Sequence, residues 1–171
     1  SFVFQEVHLF KKSIRDNIRA ARPNATEEEI LQAAQLAQCG DILEKIPGGL
    51  DAVIGAKGVY LSGGEMQRIA LARAILKDAP IVVLDEASSF ADPENEVKIQ
   101  KAFEVLMKGK TVLMIAHRLS TVRRMDRILV IKKGVVVEEG KHDELIEKGG
   151  VYASMWEEYQ SAAQWKVGGE E

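Results

Sequence analysis

The sequence predicts an α/β domain built around a parallel sheet, and three observations carry that expectation. PIVVLDEASS, residues 80–89, is an unbroken apolar run ending in two acids, as in a strand buried on both faces of a parallel sheet. KTVLMIAHR, residues 110–118, is a second buried run. Between them ENEVKIQKAFEVLMK, residues 94–108, spaces its apolar residues as a helix does. Strand, helix and strand in this order make a right-handed crossover that lays the two strands side by side.

The remaining elements follow along the chain. SFVFQEV, residues 1–7, is aromatic and β-branched and reads as a strand. LFKKSIRDNI, residues 9–18, is a short amphipathic stretch. Pro23 and the Thr26 to Glu29 capping-box spacing announce a helix over residues 27–38, which Gly40 is expected to stop. Pro47, Gly48, Gly49, Gly55 and Gly58 break residues 41–60 into a loop region with one short helix. Ser62 and Glu65 then form a second capping box, and Ile69, Ala72 and Leu76 continue a helical stripe. RILVIKKGVVVEEG reads as a hairpin turning near Lys133 and Gly134. HDELIEK and VYASMWEEYQSAA read as helices, and KVGGEE as a frayed end.

Bulk composition narrows the function classes. With 171 residues, 46% hydrophobic and 29% charged, the chain can bury a substantial core. A net charge of -3 gives no overall attraction to nucleic acid, and no nucleic-acid partner is expected. Cys39 is the single cysteine, so no intrachain disulfide forms. No apolar run approaches the roughly 20 residues that span a bilayer. The first residues contain no Met and no signal-peptide pattern, and the sequence reads as a part of something longer.

The candidate chemistry begins at YLSGGEMQRIALARAIL, residues 60–76. Glycine costs a helix about 1 kcal/mol relative to alanine, yet Gly63 and Gly64 stand in the first turn of a well-capped one. A helix N-terminus offers unpaired N–H groups and the positive end of the macrodipole, and glycines admit a bulky anion. Ser62, Gly63 and Gly64 therefore suit a phosphate; a tight turn into a capped helix is the competing explanation. Asp85 and Glu86 end a buried strand, where open α/β sheets bind ligands. There one acid suits a hydrated Mg²⁺ and its neighbour a water aimed at phosphorus. His117 ends the second strand, and Gln5, at the end of the first, is a neutral candidate ligand for metal or water.

The order of these stretches is more specific than any one of them. Gln5 in FVFQEVHLFKKSIRDNI, then LSGGEMQRIALARAIL, IVVLDEASS and IAHRLSTV closely resembles the nucleotide-binding domain of ABC transporters of the exporter-like type, from residue 1 to about Trp156. The resemblance implies a P-loop NTPase-like parallel sheet core, incomplete here, with a helical signature subdomain at about residues 10–75. Residues 1–9 and 76–160 would be catalytic core and 161–171 a frayed tail. It implies ATP and Mg²⁺ as cofactors, with Asp85 holding the metal through water and Gln5 linking it to the membrane-domain interface. Glu86 would polarise the attacking water and His117 would contact the γ-phosphate. Leu61, Ser62, Gly63, Gly64 and Glu65 would form the signature that binds the nucleotide of a second domain in a head-to-tail dimer, with Ser89 and Asp92 at the dimer contact. The implied partner is an exporter's transmembrane domain, and the implied location the cytoplasmic face of a membrane.

Departures from the family pattern are also legible. No G-x-x-x-x-G-K-[ST] occurs, and in the family that loop lies upstream of the glutamine. Removing an upstream strand is expected to leave a gap and apolar surface beside residues 81–86. Ser89, Phe90, Ala91 and Asp92 stand where S-A-L-D is usual, and Ala56 stands where exporters prefer Glu. Two alternatives share these motifs: a non-hydrolysing partner subunit, and a soluble ATPase of DNA repair or chromosome condensation. Retention of Glu86 and His117 argues against the first. The short segment between Gln5 and the signature argues against the second.

Overall fold

Local capping chemistry opens several of the helices in this computed structural model. It describes residues 1–3, 7–55, 58–86, 93–116 and 119–167, with backbone alone for Glu86, Pro93 and residues 162–167. Ser13 Oγ accepts the Asp16 N–H and opens α1 (Ile14–Arg19). Thr26 and Glu29 cap reciprocally to open α2 (Glu27–Leu36). This helix ends at Leu36, two residues short of the expected 38, and Gly40 is not what stops it. Gln38 turns left-handed (φ 60°) and the Cys39 N–H reaches back to the Ala34 carbonyl at 2.9 Å, a Schellman-type close. Gly40 instead opens α3 (Gly40–Lys45), and a single 3₁₀ turn follows at Gly49–Asp51.

The second capping box opens α4 (Gly63–Lys77). Then come β2 (Ile81–Glu86), α5 (Pro93–Met107) and β3 (Thr111–Ala116), with β1 at Phe2–Val3. A short α6 (Leu119–Val122), which periodicity did not announce, precedes the hairpin of β4 (Ile128–Lys132) and β5 (Val135–Gly140). Helices α7 (His142–Glu147) and α8 (Val151–Val167) close the described chain. The tail expected to fray from residue 161 is helical through Val167.

Residues 1–115 form one unit. Its sheet has the order β1-β2-β3, with β1 parallel to β2 and Phe2 opposite Val83. The Thr111 N–H bonds the Pro80 carbonyl at 3.1 Å, so β3 starts beside the start of β2 and both run the same way. Val3, Val82 and Leu84 are buried in a core shared with Ile14, Ile18, Ile30, Ile69, Leu71, Ile99 and Leu106.

The runs of β2 and β3 turn toward the core on one face only, fully buried in β2 and half-buried in β3, which corrects the expectation of burial on both faces. Phe2, Ile81, Leu113 and Ile115 are 66%, 56%, 57% and 55% exposed and alternate with the core-facing positions. An uncovered apolar face therefore exists, as expected. The expected gap beside residues 81–86 does not: β2 is central, paired on both sides.

Residues 116–171 form the second unit. Lys133 (φ 52°) and Gly134 (φ 79°) make the two-residue turn of the hairpin where the sequence placed it. Ile128, Val130, Leu145 and Tyr152 are its core, with Leu119, Val122 and Met125 packed against them. Among the described residues no helix is long and apolar enough to cross a membrane.

Candidate functional site

The first turn of α4 resolves why two glycines open a capped helix. Ser62 Oγ accepts the Glu65 N–H at 3.2 Å, and Glu65 Oε2 accepts the Ser62 N–H at 2.7 Å. The Met66 N–H begins the intrahelical series on the Ser62 carbonyl at 2.9 Å. The amides of Gly63 and Gly64 are left as the orphan donors of the helix start. Ser62 and Gly63 are exposed, and a Cβ on Gly63 would have no neighbour within 4 Å, so this turn is open to a bulky anion.

Gly64 is a glycine for another reason. It is buried, and a Cβ there would stand 2.9 Å from both Cβ and Cγ of Asn95 on α5. Leu61 is half-buried and packs on the core. The Glu65 carboxylate points inward, its second oxygen taken by Lys45 Nζ at 3.1 Å. Burial opposes its ionisation, but the Ser62 N–H and the Lys45 charge outweigh that and hold its pKa below the ordinary value.

Asp85 and Glu86 end β2, and Ala116 ends the neighbouring, co-directional β3, so the carboxyl ends of both strands lie on one edge. Asp85 is half-buried there. Among the described residues no three His, Cys, Asp or Glu side chains gather as a metal cage. A strand-end carboxylate such as Asp85 suits an Mg²⁺ that keeps most of its waters, rather than an ion enclosed by protein. The Glu86 side chain lies outside the described ones. Gln5, Ala56, Ser89, Phe90, Ala91, Asp92 and His117 lie outside the described residues.

Three residues not singled out in the sequence organise the surroundings. Asn17 is fully buried: its Oδ1 accepts the Phe10 N–H at 2.8 Å, and its Nδ2 donates to the carbonyls of Phe10 (3.0 Å) and Ser13 (2.9 Å). Arg73 donates to the Asn17 carbonyl and Oδ1 at 2.8 and 3.0 Å and lies over the Phe10 ring, 5.3 Å from its centroid. Together they shape a groove of about 470 Å³ lined by Phe2, Val7, His8, Leu9, Phe10 and Ala70 among others. Arg68 is 1% exposed and donates to Asp41 and Asn95. The signal was present: Asn17 lies on the apolar side with Ile14 and Ile18, and Arg68 beside Ile69 on that of Ala72. A polar residue on a buried stripe must find partners.

Comparison with known proteins identifies relatives of nearly the whole chain. A family model described as ABC transporter matches residues 1–89. An uncharacterized ABC transporter ATP-binding protein of Haemophilus influenzae is 50% identical over 90% of this chain and 26% of its own length. An ATP-dependent lipid A-core flippase of Vibrio vulnificus is 52% identical over 91% of this chain and 27% of its own. One of Legionella pneumophila is 48% identical over 94% and 27%. The chain thus spans about a quarter of the length of these relatives. With over half its length matched by the family model, the chain belongs to the ABC transporter family.

Proposed function

We propose that this chain is the ATP-hydrolysing part of an ABC exporter's nucleotide-binding domain, coupling Mg²⁺-dependent ATP hydrolysis to transport. The observation that carries the reading is the start of α4, where Ser62 and Gly63 are exposed and the amides of Gly63 and the buried Gly64 lie outside the intrahelical series, in a chain whose β2 ends in Asp85 and Glu86. The relatives' names support an exporter, and those called lipid A-core flippases support a lipid as cargo. Location at the cytoplasmic face of a membrane follows from that reading. So does docking of a transmembrane domain, for which the groove at Phe10 and Arg73 is the receiving surface.

In this mechanism Ser62, Gly63 and Gly64 donate hydrogen bonds to phosphate oxygens of a nucleotide held by a second copy of the domain, with Leu61 and Glu65 supporting the turn and Ser89 and Asp92 at the dimer contact. Asp85, through water, and Gln5 would hold Mg²⁺, which would supply charge neutralisation on the phosphate oxygens. Glu86 accepts a hydrogen bond from the attacking water and draws its proton away, and His117 donates to the γ-phosphate. Positioning and charge stabilisation account for most phosphoryl-transfer catalysis. The phosphate-cradling loop is absent from these 171 residues, so the chain by itself binds ATP weakly and does not turn it over.

The test is Glu86→Gln in the intact polypeptide that carries this chain. The amide keeps the shape but is not a base, so ATP binding persists while hydrolysis falls about 10²–10⁴-fold. Turnover near the wild-type rate would remove Glu86 from the reaction. Absence of turnover in the wild type would favour the non-hydrolysing partner subunit.

A further inference from the structure

We propose that Asn95 is a positioning residue that, with Arg68 as its clasp, fixes the phosphate-facing first turn of α4 against the first turn of α5. The inference rests on the reading of the α4 start as phosphate-facing, and it assigns to that site a register device within the same chain.

Two independent contacts meet at the Asn95 side chain. Its Cβ and Cγ fill the space a Cβ of Gly64 would need, each 2.9 Å from that ideal position, so the backbone of the α4 start rests on Asn95 itself. One turn further along α4, Arg68 Nη2 donates to Asn95 Oδ1 at 2.8 Å. A close steric stop and a directional hydrogen bond thus set both the separation and the axial register of the two helices.

Arg68 is held in turn. Its Nη1 and Nη2 donate to the two Asp41 oxygens at 2.6 and 3.2 Å, and Nη1 also reaches the Gln38 carbonyl. Lys98, on α5 three residues after Asn95, donates to Asp41 at 2.9 Å and to Glu94 at 2.7 Å. An arginine buried to 1% exposure with its Nη groups in fixed bonds has little rotamer freedom left. The clasp therefore joins α3, α4 and α5. In sequence, residues 87–92 lead from Glu86 straight into Pro93, the first residue of α5, two before Asn95. The amides of Gly63 and Gly64 are thereby referred, through Asn95, to the helix that follows the acids of β2. A donor displaced by about 1 Å from its working position costs up to about 10²-fold in rate, so such a register is worth building.

The experiment measures ATP turnover by the intact polypeptide for Asn95→Ala, Asn95→Asp, Gly64→Ala and the pair Gly64→Ala with Asn95→Gly. Thermal unfolding and amide exchange of Glu65 and Met66 are measured alongside. The proposal expects Asn95→Ala to lower kcat about tenfold with KM changed less than about threefold, as for an interaction felt in the transition state. Asn95→Asp keeps an acceptor for Arg68 and restores most of that loss. Gly64→Ala also loses kcat, and Asn95→Gly, by removing the opposing Cβ and Cγ, restores part of it. Wild-type kcat in Asn95→Ala, or a loss that Asn95→Asp does not rescue, overturns the proposal. The hydrolase reading is judged separately by Glu86→Gln. Should the wild type show no turnover, exchange decides the clasp: faster exchange at Glu65 and Met66 in Asn95→Ala, reversed in Asn95→Asp, supports it, and unchanged exchange overturns it.

Discussion

The carboxylate of Glu138 accepts the backbone N–H of Tyr152 at 2.9 Å while its other oxygen takes that of Val151 at 2.6 Å, so a residue of β5 caps the start of α8 from a distance. These backbone bonds, with Lys148 nearby, hold the Glu138 pKa below its ordinary value. A depressed folded pKa means the cap contributes fully above the unfolded value of about 4.3 and is lost as pH falls through the folded one. Glu138→Ala is expected to speed exchange of the Val151 and Tyr152 amides at neutral pH and to flatten the acid dependence of unfolding of residues 116–171. Gly150→Ala should do likewise, because its Cβ would sit 1.9 Å from Glu138 Oε1.

Asp41 provides a second acid-dependent contact. Burial pushes its pKa up, but hydrogen bonds and charge from Arg68 and Lys98 prevail and bring it to about 2. Its contribution is present above the unfolded value near 3.9 and disappears as pH drops toward 2. Asp41→Asn leaves the buried Arg68 without its counter-charge, and a loss of about 2–3 kcal/mol is expected. Urea unfolding of wild type and variant at pH 7 and pH 2.5 checks this: the difference should shrink at the lower pH.

Removing the Asn17 amide strands the Phe10 N–H and carbonyl and deprives Arg73 of an acceptor. Asn17→Ala is expected to destabilise by about 1–3 kcal/mol and to loosen the groove around Phe10. Chemical denaturation, with exchange of the Phe10 amide, measures both effects.

Cys39 is fully buried, and burial drives its thiol pKa up to about 12 despite the opposing charge of Arg68. A thiol-specific reagent at pH 8 should therefore modify it only as fast as residues 34–42 open. Labelling at the rate of a free thiol in the native protein would contradict this burial.

Gln38 holds a left-handed backbone that an L side chain adopts at a cost of roughly 1–2 kcal/mol. Its carbonyl is what Arg68 uses, so Gln38→Gly keeps the contact and relieves the strain. An increase of about 0.5–1 kcal/mol in stability is expected from denaturant midpoints.

Much of the fold was legible because it rests on local rules. Both capping boxes form with the residues that announced them, since S/T-x-x-E satisfies orphan amides within one turn. The Lys133–Gly134 turn likewise needs only its own dihedrals. Gly40 misled for the complementary reason: the close of α2 depends on a backbone bond from Cys39 to Ala34, which Gln38 can make at the expense of strain.

By itself the sequence determined the order of strands and helices apart from α6, the open start of α4 at Ser62 and Gly63, and the placement of Asp85 and Glu86 at a strand end. These depend on spacing along the chain, which periodicity and capping read directly. Only the tertiary structure decided that β2 is central and buried on one face, because strand pairing and coverage depend on segments distant in sequence. It alone decided that Gly64 must lack a side chain because of Asn95, thirty-one positions away, and that Arg68 is interior. Steric exclusion and desolvation act between surfaces in contact, and no local pattern in the chain states which surfaces those are.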